Sequence, residues 1–597
     1  MQSSLARLDE SDNDWSTGSW RTDSALLVVV CVLVLWLGLG KTRLWDQDEG
    51  YYASVAREMF DRRDWVVPTF NQELFAHKPP MMYWGMLTGF HLFGVSEFAT
   101  RWVSAIFGTG MVLLTYRLGR LLIDRKTALI ASLALASSLM FTVVARSATA
   151  DVHLGFFILL ALTLWVSEAV AWSKRGVSEV RDFPGIPLRT WLMIYLAIAL
   201  AVLSKGPIGF AFPVAILGTL TFLWPWVCGQ TMAWKELFSV GRFVQATLSM
   251  RPFAGAIVLL SVAAPWFWIV NQRTDGAFLA EFFGEQHLAR FSKPMDNHSG
   301  PIYYYLVASL IGFFPWTSFA IPIGIHAMRA RRSVALRLAW AVISVWLFFY
   351  FVVFSVASTK LPNYIIPAYP ALALWIGSYF SGWLDRLDDE DIQRGNLWPM
   401  AGWLFMIFSG ALIGGITLAI GSRFGDAWVD RLEIDRKMLP AILTFSWLGW
   451  LLIGGGLVGW YLQSSKKKAW GVWVLAGLCV GWVSLIWQLI IPGIDRFQTP
   501  QQVAIETIAP MQGSALRGEP AVVGMFRPSM VFYSRGPLNF CQDDRALEET
   551  LSIDPPSLVV INQSSQKARQ MLDEHGYRIA DSLESFPKRG LISVYRK

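Results

Sequence analysis

The sequence predicts a mainly α-helical, polytopic membrane protein with a small soluble α/β unit at its C-terminal end. Of 597 residues, 54% are hydrophobic and only 16% charged, with a mean hydropathy of +0.41. One soluble core cannot hide that much apolar surface, so the chain needs a lipid solvent. Uncharged runs recur at 25–40, 102–116, 127–145, 152–167, 190–204, 206–234, 252–272, 299–328, 338–359, 361–384, 395–422, 438–465 and 469–494. A helix needs roughly 20 apolar residues to cross the hydrocarbon core, so these runs predict about thirteen spans over residues 1–494. From about Asp495 the composition changes to that of a soluble unit, 495–597.

Lys and Arg in short loops set the orientation, because such loops stay on the cytoplasmic side. With the N-terminus inside, the inner loops hold Arg120, Arg125 and Lys126; Lys174, Arg175, Arg181 and Arg189; Lys235, Arg242 and Arg251; Arg329, Arg331, Arg332 and Arg337; and Lys466, Lys467 and Lys468. The alternate loops, among them the opening loop 44–98, then lie outside, together with the C-terminal unit. Residues 1–24 are polar and acidic, and no small-residue cleavage pattern follows Gly40, so the first run is expected to be a retained anchor. The net charge of +7 suits inner loops facing anionic lipid. Four cysteines without a CxxC pair give no disulfide framework, and nothing points to nucleic acid.

The opening loop is the richest segment. Tyr52, Val55, Ala56 and Met59 recur at helical spacing while Arg57, Glu58 and Asp61 fall on other faces, which predicts a short amphipathic helix at the membrane surface, with Asp48 at or near its N-cap. Pro68 and Pro79-Pro80 punctuate the stretch after it, and Met81 to Phe93 predicts a second interfacial helix. Other outer segments carry isolated ionisable groups: Arg146 with Asp151 in ARSATAD, and Lys205 in LSKGP. Glu285, His287 and Arg290 are spaced to share one side of a short helix. Lys360 and Tyr364 sit in the proline-bounded STKLPNYIIP, where irregular backbone is expected to line a cavity and not face lipid. Snorkelling charges at helix ends would explain any one of these groups; their gathering on one face favours a site. In the C-terminal unit, Ala521–Phe526, Ser557–Asn562 and Leu591–Tyr595 read as strands and Ser564–Glu574 as a helix. That unit has no Gly-rich phosphate loop, no paired carboxylates and no metal-ligand cluster, so its expected role is structural or acceptor-facing.

Carboxylates at Asp48, Glu49 and Asp151 with cations at Lys78, Lys205, Arg290 and Lys360 supply the parts for moving a group off a phosphate. Cations clamp the phosphate and stabilise the charge that develops on the leaving oxygen, while a carboxylate accepts the proton of an attacking hydroxyl. No nucleotide fold is visible, so the phosphate would arrive on a lipid, and the apolar walls of the spans suit a polyprenyl tail.

In this order, WDQDEGYYASVAREM, DWVVPTF, FAHKPPMMYW, ARSATAD, LSKGP, QHLARF and STKLPNYIIPAYP resemble the GT-C glycosyltransferases of the aminoarabinose transferase (ArnT) and protein O-mannosyltransferase-like type, over about residues 44–370. The resemblance implies a polytopic GT-C fold in the bacterial inner membrane with a periplasmic active site. It implies an enzyme that transfers a sugar from a polyprenyl (undecaprenyl-type) phosphate to a glycolipid, such as a lipid A-like one, or to a protein, by inverting displacement. Asp48 is then the principal catalytic carboxylate, with Asp151 the second outer carboxylate. Tyr52, Lys78, Arg290 and Tyr364 resemble positions contacting the lipid phosphate, and Lys205 and Lys360 are further cavity cations. One departure concerns metals: relatives commonly carry an acid before the lysine of the Lys-Pro motif, where this chain has His77. With His287 that makes at most a two-histidine site for a divalent ion, so no cofactor is expected to be required. The rival classes are a polytopic transporter or flippase of lipid-linked sugars, which would place ionisable residues near the midplane and show repeated halves, and a noncatalytic scaffold whose opening loop docks a partner.

Overall fold

The computed structural model describes residues 19–174, 183–228, 230–289, 299–330, 336–385, 398–421, 436–465, 467–511, 518–562, 566–584 and 591–597. Among them, eight helices are long and apolar enough to cross a membrane: Ser19–Trp36, Glu97–Leu122, Asp151–Trp172, Leu188–Lys205, Arg337–Val356, Pro399–Gly421, Leu439–Ser464 and Lys468–Asp495. Three bent pairs raise the count to eleven if each is one span: Arg125–Ala136 with Leu139–Arg146 (63°), Val240–Ser249 with Pro252–Val262 (51°), and Tyr304–Gly312 with Trp316–Arg329 (114°). Among the described residues, eleven of the thirteen uncharged runs thus match these candidate spans, and the other two hold shorter helices, Ile208–Phe222 and Tyr369–Leu384. The run 361–384 opens in 3-10 turns at Pro362–Ala368 and leaves a helix of only 16 residues, Tyr369–Leu384. In the run 127–145 the break falls at two serines. Ser137 Oγ donates to Leu133 O at 2.6 Å and Ser138 Oγ to Leu135 O at 3.0 Å, so the side chains compete with the backbone ladder.

Small residues let the helices of the bundle approach closely. A Cβ on Gly119 would stand 2.8 Å from Ala128 Cα, and one on Gly377 would stand 2.5 Å from Thr127 O. Those two glycines therefore wedge Arg125–Ala136 between Glu97–Leu122 and Tyr369–Leu384. Side-chain caps fix the helix starts: Ser96 Oγ accepts Ala99 N–H at 3.3 Å, and Asp124 Oδ1 accepts Thr127 N–H at 2.7 Å.

The opening loop forms helix Asp48–Asp61, a hairpin of β1 (Thr69–Phe70) and β2 (Glu73–Leu74), and helix Met81–Phe93. The hairpin turn places Asn71 and Gln72 at φ 53° and 69°, the paired positive φ of a tight hairpin turn. Half-buried Glu58 holds it, accepting Asn71 N–H at 2.6 Å, Gln72 N–H at 3.2 Å and the Thr69 hydroxyl at 2.6 Å. Helix Asp48–Asp61 does bury Tyr52, Val55, Ala56 and Met59, but against protein. Those residues share one apolar core with Met82 and Tyr83 of the second helix and with Met530, Phe532, Val560 and Val594 of the C-terminal region. Burying Val55 and Met59 fully stabilises this docking by about 1.5–3 kcal/mol each.

The C-terminal region holds β3 (Ala521–Val523), β4 (Asn539–Cys541), β5 (Leu558–Asn562), β6 (Arg578–Glu584) and β7 (Leu591–Arg596), in sheet order β4-β3-β5-β7-β6. β3 pairs in parallel with β4 and β5, while β7 runs antiparallel to both β5 and β6. Helix Pro528–Ser534 leaves this sheet and packs on the opening-loop helix. Ser54 Oγ donates to Pro528 O at 3.0 Å, and Asp46 Oδ1 accepts from Ser529 N at 3.3 Å and Ser529 Oγ at 2.5 Å. Asn71 and Leu538 exchange two hydrogen bonds of 2.8 and 2.9 Å. A Cβ on Gly50 would meet Ser529 N at 2.6 Å, so the two helices touch where only glycine fits.

Candidate active site

Five segments of the chain converge on a cleft of about 120 Å³ lined by Asp48, Tyr52, His77, Lys78, Asp151 and Lys205, with Gln286, Thr359, Asn363 and Tyr364. Asp48 is the first residue of helix Asp48–Asp61. Its predecessor Gln47 is held at φ 69° and gives no side-chain cap, so the carboxylate sits at the positive end of the helix dipole. Among the described residues, none donates a hydrogen bond to it. One turn on, Tyr52 packs edge to face on Tyr83 with ring centroids 6.3 Å apart, and Lys78 Nζ stands 5.6 Å from the Tyr52 ring centroid. Lys78 also donates to His77 O at 3.2 Å. Tyr83 is fully buried beside the cleft, and burial, reinforced by the nearby Asp48 charge, pushes its phenol well above the usual range.

Asp151 opens the helix Asp151–Lys174 and Lys205 closes the helix Leu188–Lys205, so each charge sits at the helix end its sign favours. They form an ion pair through Lys205 Nζ and Asp151 Oδ1. Asn363 Nδ2 donates to the other oxygen, Oδ2, at 3.0 Å, and Lys205 Nζ lies 4.8 Å over the Tyr364 ring. Gly206 follows at φ 74° and donates to Val202 O at 2.7 Å, ending the helix where the lysine is needed.

The expected residues divide as follows. Asp48, Tyr52, His77, Lys78, Asp151, Lys205 and Tyr364 are brought together at the cleft. Glu49, read from sequence as a third catalytic carboxylate, lies behind the cleft. It is 4% exposed and paired with Arg101, which is 3% exposed. Arg101 donates to it through Nε and Nη2, both at 2.8 Å, while Glu49 also accepts Trp45 N–H at 2.9 Å and Ala148 N–H at 3.0 Å. Helical geometry turns consecutive residues about 100° apart, so the Asp-Glu pair divides: one carboxylate to the cleft, one to the wall. Lys360, read as a cavity cation, is buried and turns its ammonium to Ala357 O at 2.6 Å, whereas its neighbours Thr359 and Leu361 line the cleft. Arg290 lies outside the described residues. The backbone of His287 falls in the π-turn Gly284–Ala289, and its side chain lies outside the description.

The divalent-metal reading thus places one histidine in the cleft, His77, stacked on Phe75 at 3.9 Å. Among the described residues no three His, Cys, Asp or Glu side chains come together to hold an ion. Sequence reasoning missed Asn363, Gln286 and Arg101. Asn363 stood inside the proline-bounded segment already singled out, and Gln286 stood beside His287; neither side chain ionises, and charge was the signal in use.

Residues 24–279, which carry most of these cleft groups, match the family model described as dolichyl-phosphate-mannose-protein mannosyltransferase. In structure, the chain is similar to ArnT from Cupriavidus metallidurans bound to undecaprenyl phosphate, with a TM-score of 0.69 at 21% identity over 95% of this chain and 97% of that one. The chain has the ArnT-like GT-C fold. In sequence it is 31% identical over 354 residues to an uncharacterized protein of Aquifex aeolicus, covering 58% of this chain and 62% of that protein. It is 30% identical over 372 residues to the undecaprenyl phosphate-alpha-4-amino-4-deoxy-L-arabinose arabinosyl transferase of Edwardsiella ictaluri, covering 61% and 60%. The match thus spans about three fifths of these curated relatives. The 24–279 match covers the cleft segments that bear Asp48, Lys78, Asp151 and Lys205.

Proposed function

We propose that the protein is an integral membrane glycosyltransferase that moves a sugar from a polyprenyl (undecaprenyl-type) phosphate to an acceptor at the outer face of the bacterial inner membrane. The acceptor is a glycolipid of the lipid A type or a protein. The observation that carries this reading is the contrast between two carboxylates in one cleft. Both oxygens of Asp151 are engaged, by Lys205 and by Asn363, whereas Asp48 has no hydrogen-bond donor among the described residues. A carboxylate held that way is a fixed charge; one left open beside the cleft is available to an incoming hydroxyl. The likeness to ArnT, named with undecaprenyl phosphate, supports the choice of donor.

In the mechanism, the acceptor oxygen attacks the anomeric carbon as the bond from that carbon to the phosphate oxygen breaks. The electron pair leaves on polyprenyl phosphate, and configuration inverts. Lys78 meets the developing phosphate charge as a point charge, and Arg290 joins it by the family resemblance. Asp48 takes the proton of a hydroxyl acceptor. An acceptor that is itself a phosphate arrives anionic, and Asp48 then orients it or stabilises the cationic sugar centre. Asp151 with Lys205 forms a fixed dipole on the cleft wall, and Tyr52 and Tyr364 give the two lysines aromatic faces.

The N-terminus is cytoplasmic and the cleft periplasmic, as the basic inner loops indicate. The boundary at 494/495 separates the membrane unit from a soluble unit whose role is to brace the opening loop through Pro528–Ser534. The experiment is equilibrium binding of undecaprenyl phosphate to the purified protein and to Lys78→Ala. Loss of one charge-assisted contact, about 1.5–3 kcal/mol, predicts at least tenfold weaker binding. Equal affinity in the two proteins would place the phosphate elsewhere.

A further inference from the structure

We propose that Gln286 is a specificity residue that accepts a hydrogen bond from a hydroxyl or amino group of the transferred sugar. The inference rests on the glycosyltransferase reading above and deepens it. Gln286 lies in the π-turn Gly284–Ala289 and lines the cleft with Asp48, Lys78 and Lys205. The residue is 9% exposed, and its Oε1 is buried with no hydrogen-bond partner among the described residues. A buried amide oxygen left without a donor is costly, and native proteins rarely keep one without a use.

The neighbouring cleft groups do not supply the donor. Lys205 and the Asn363 amide are held on Asp151, and Lys78 donates to its own neighbour's carbonyl. The missing hydrogen must therefore come with the ligand. Of the donor's three parts, the ionised phosphate carries acceptors only and the prenyl tail carries neither donors nor acceptors, so both are excluded. The sugar is the part that brings O–H or N–H groups. A site built to pair a substrate hydroxyl or amine discriminates steeply against an analogue that lacks it, because the site's own polar group is then stranded.

The test compares binding of undecaprenyl phosphate with binding of its mannose and 4-amino-4-deoxy-L-arabinose conjugates, in wild type, Gln286→Met and Gln286→Glu. The readout is the ratio of conjugate to bare-lipid affinity. In wild type at least one conjugate binds tenfold or more tighter than the bare lipid. Gln286→Met abolishes that preference, while Gln286→Glu, which retains a carboxyl oxygen acceptor, keeps it. A ratio unchanged in Gln286→Met, including one in which both affinities fall together, overturns the proposal, as does a wild type with no preference for any conjugate. Failure of wild type to bind undecaprenyl phosphate at all is a different result, because it removes the donor assignment itself.

Discussion

Replacing Glu49 with alanine tests whether the two cleft carboxylates are held in register from behind. Arg101 donates not only to Glu49 but also to Leu39 O at 3.1 Å, Thr42 O at 2.9 Å and Arg43 O at 2.9 Å. Glu49 itself accepts from Trp45 and from Ala148, and the latter lies three residues before Asp151. One ion pair thus joins the end of the first span, the start of the Asp48 helix, the second span and the segment leading to Asp151. Removing one partner of a buried pair costs about 3–5 kcal/mol, because the other charge stays buried and uncompensated. The Trp45 and Ala148 N–H groups lose their acceptor as well, at about 1–3 kcal/mol each where they remain buried. The segments therefore move before that sum is paid in full, and a displacement of about 1 Å at reacting groups costs on the order of 100-fold in rate. The expected result is a fall in kcat of about 100-fold or more in Glu49→Ala, with undecaprenyl phosphate affinity within about threefold of wild type. Arg101→Met should match that loss, and the double variant should be no worse than either, since both remove the same tie. Wild-type kcat and an unchanged melting temperature in Glu49→Ala would refute the positioning role. A Glu49→Ala defect not shared by Arg101→Met would mean that Glu49 acts on substrate directly.

Two further predictions concern the opening loop. Gly50→Ala, inside a helix, would ordinarily stabilise by about 0.5–1 kcal/mol; here the added Cβ meets Ser529 N at 2.6 Å, so a lower melting temperature is expected, and a higher one would show that the Pro528–Ser534 contact is loose. Asp64 accepts two hydrogen bonds from Arg273, at 2.8 and 2.9 Å. Burial acts to raise its carboxyl, but the Val66 N–H and the Arg273 guanidinium hold it below the ordinary aspartate range. A depressed acid contributes stability that is complete above its unfolded pKa, about 3.9, and is lost as pH falls through the lower folded value. Proteolytic cleavage in the hairpin region should therefore increase only below about pH 4 in wild type, and should already be elevated at pH 7 in Arg273→Met. Equal cleavage of the two proteins at pH 7 would deny the tie any role.

Much of this was legible in the residues. Apolar content and loop charge predicted a polytopic helical protein, and Tyr52, Val55, Ala56 and Met59 carried the period of the helix that forms. The partner of that helix was not legible, because the same stripe serves for lipid or for Pro528–Ser534, and only the fold brings residues some 470 positions apart into contact. Asp48, Lys78, Asp151 and Lys205 stood out because isolated charges between apolar runs are conspicuous. Glu49 was as conspicuous as Asp48, but its direction depends on helix phase and on Arg101, which no local spacing connects to it. Lys360 likewise gave no sign that its ammonium would turn to a carbonyl three residues back. In the C-terminal unit the apolar strands β3, β5 and β7 announced themselves. β4 has three residues and β6 is largely polar, so hydrophobic pattern passed over both.

The central claim is that Asp48 is the carboxylate that acts on the acceptor. The most direct measurement is single-turnover transfer from an undecaprenyl-phosphate sugar to a hydroxyl acceptor by purified wild type and Asp48→Asn, with undecaprenyl phosphate affinity measured on the same samples. The account predicts transfer reduced by at least 100-fold, the lower end of what a positioned base contributes, with affinity for the bare lipid phosphate retained. Transfer by Asp48→Asn at the wild-type rate would contradict it.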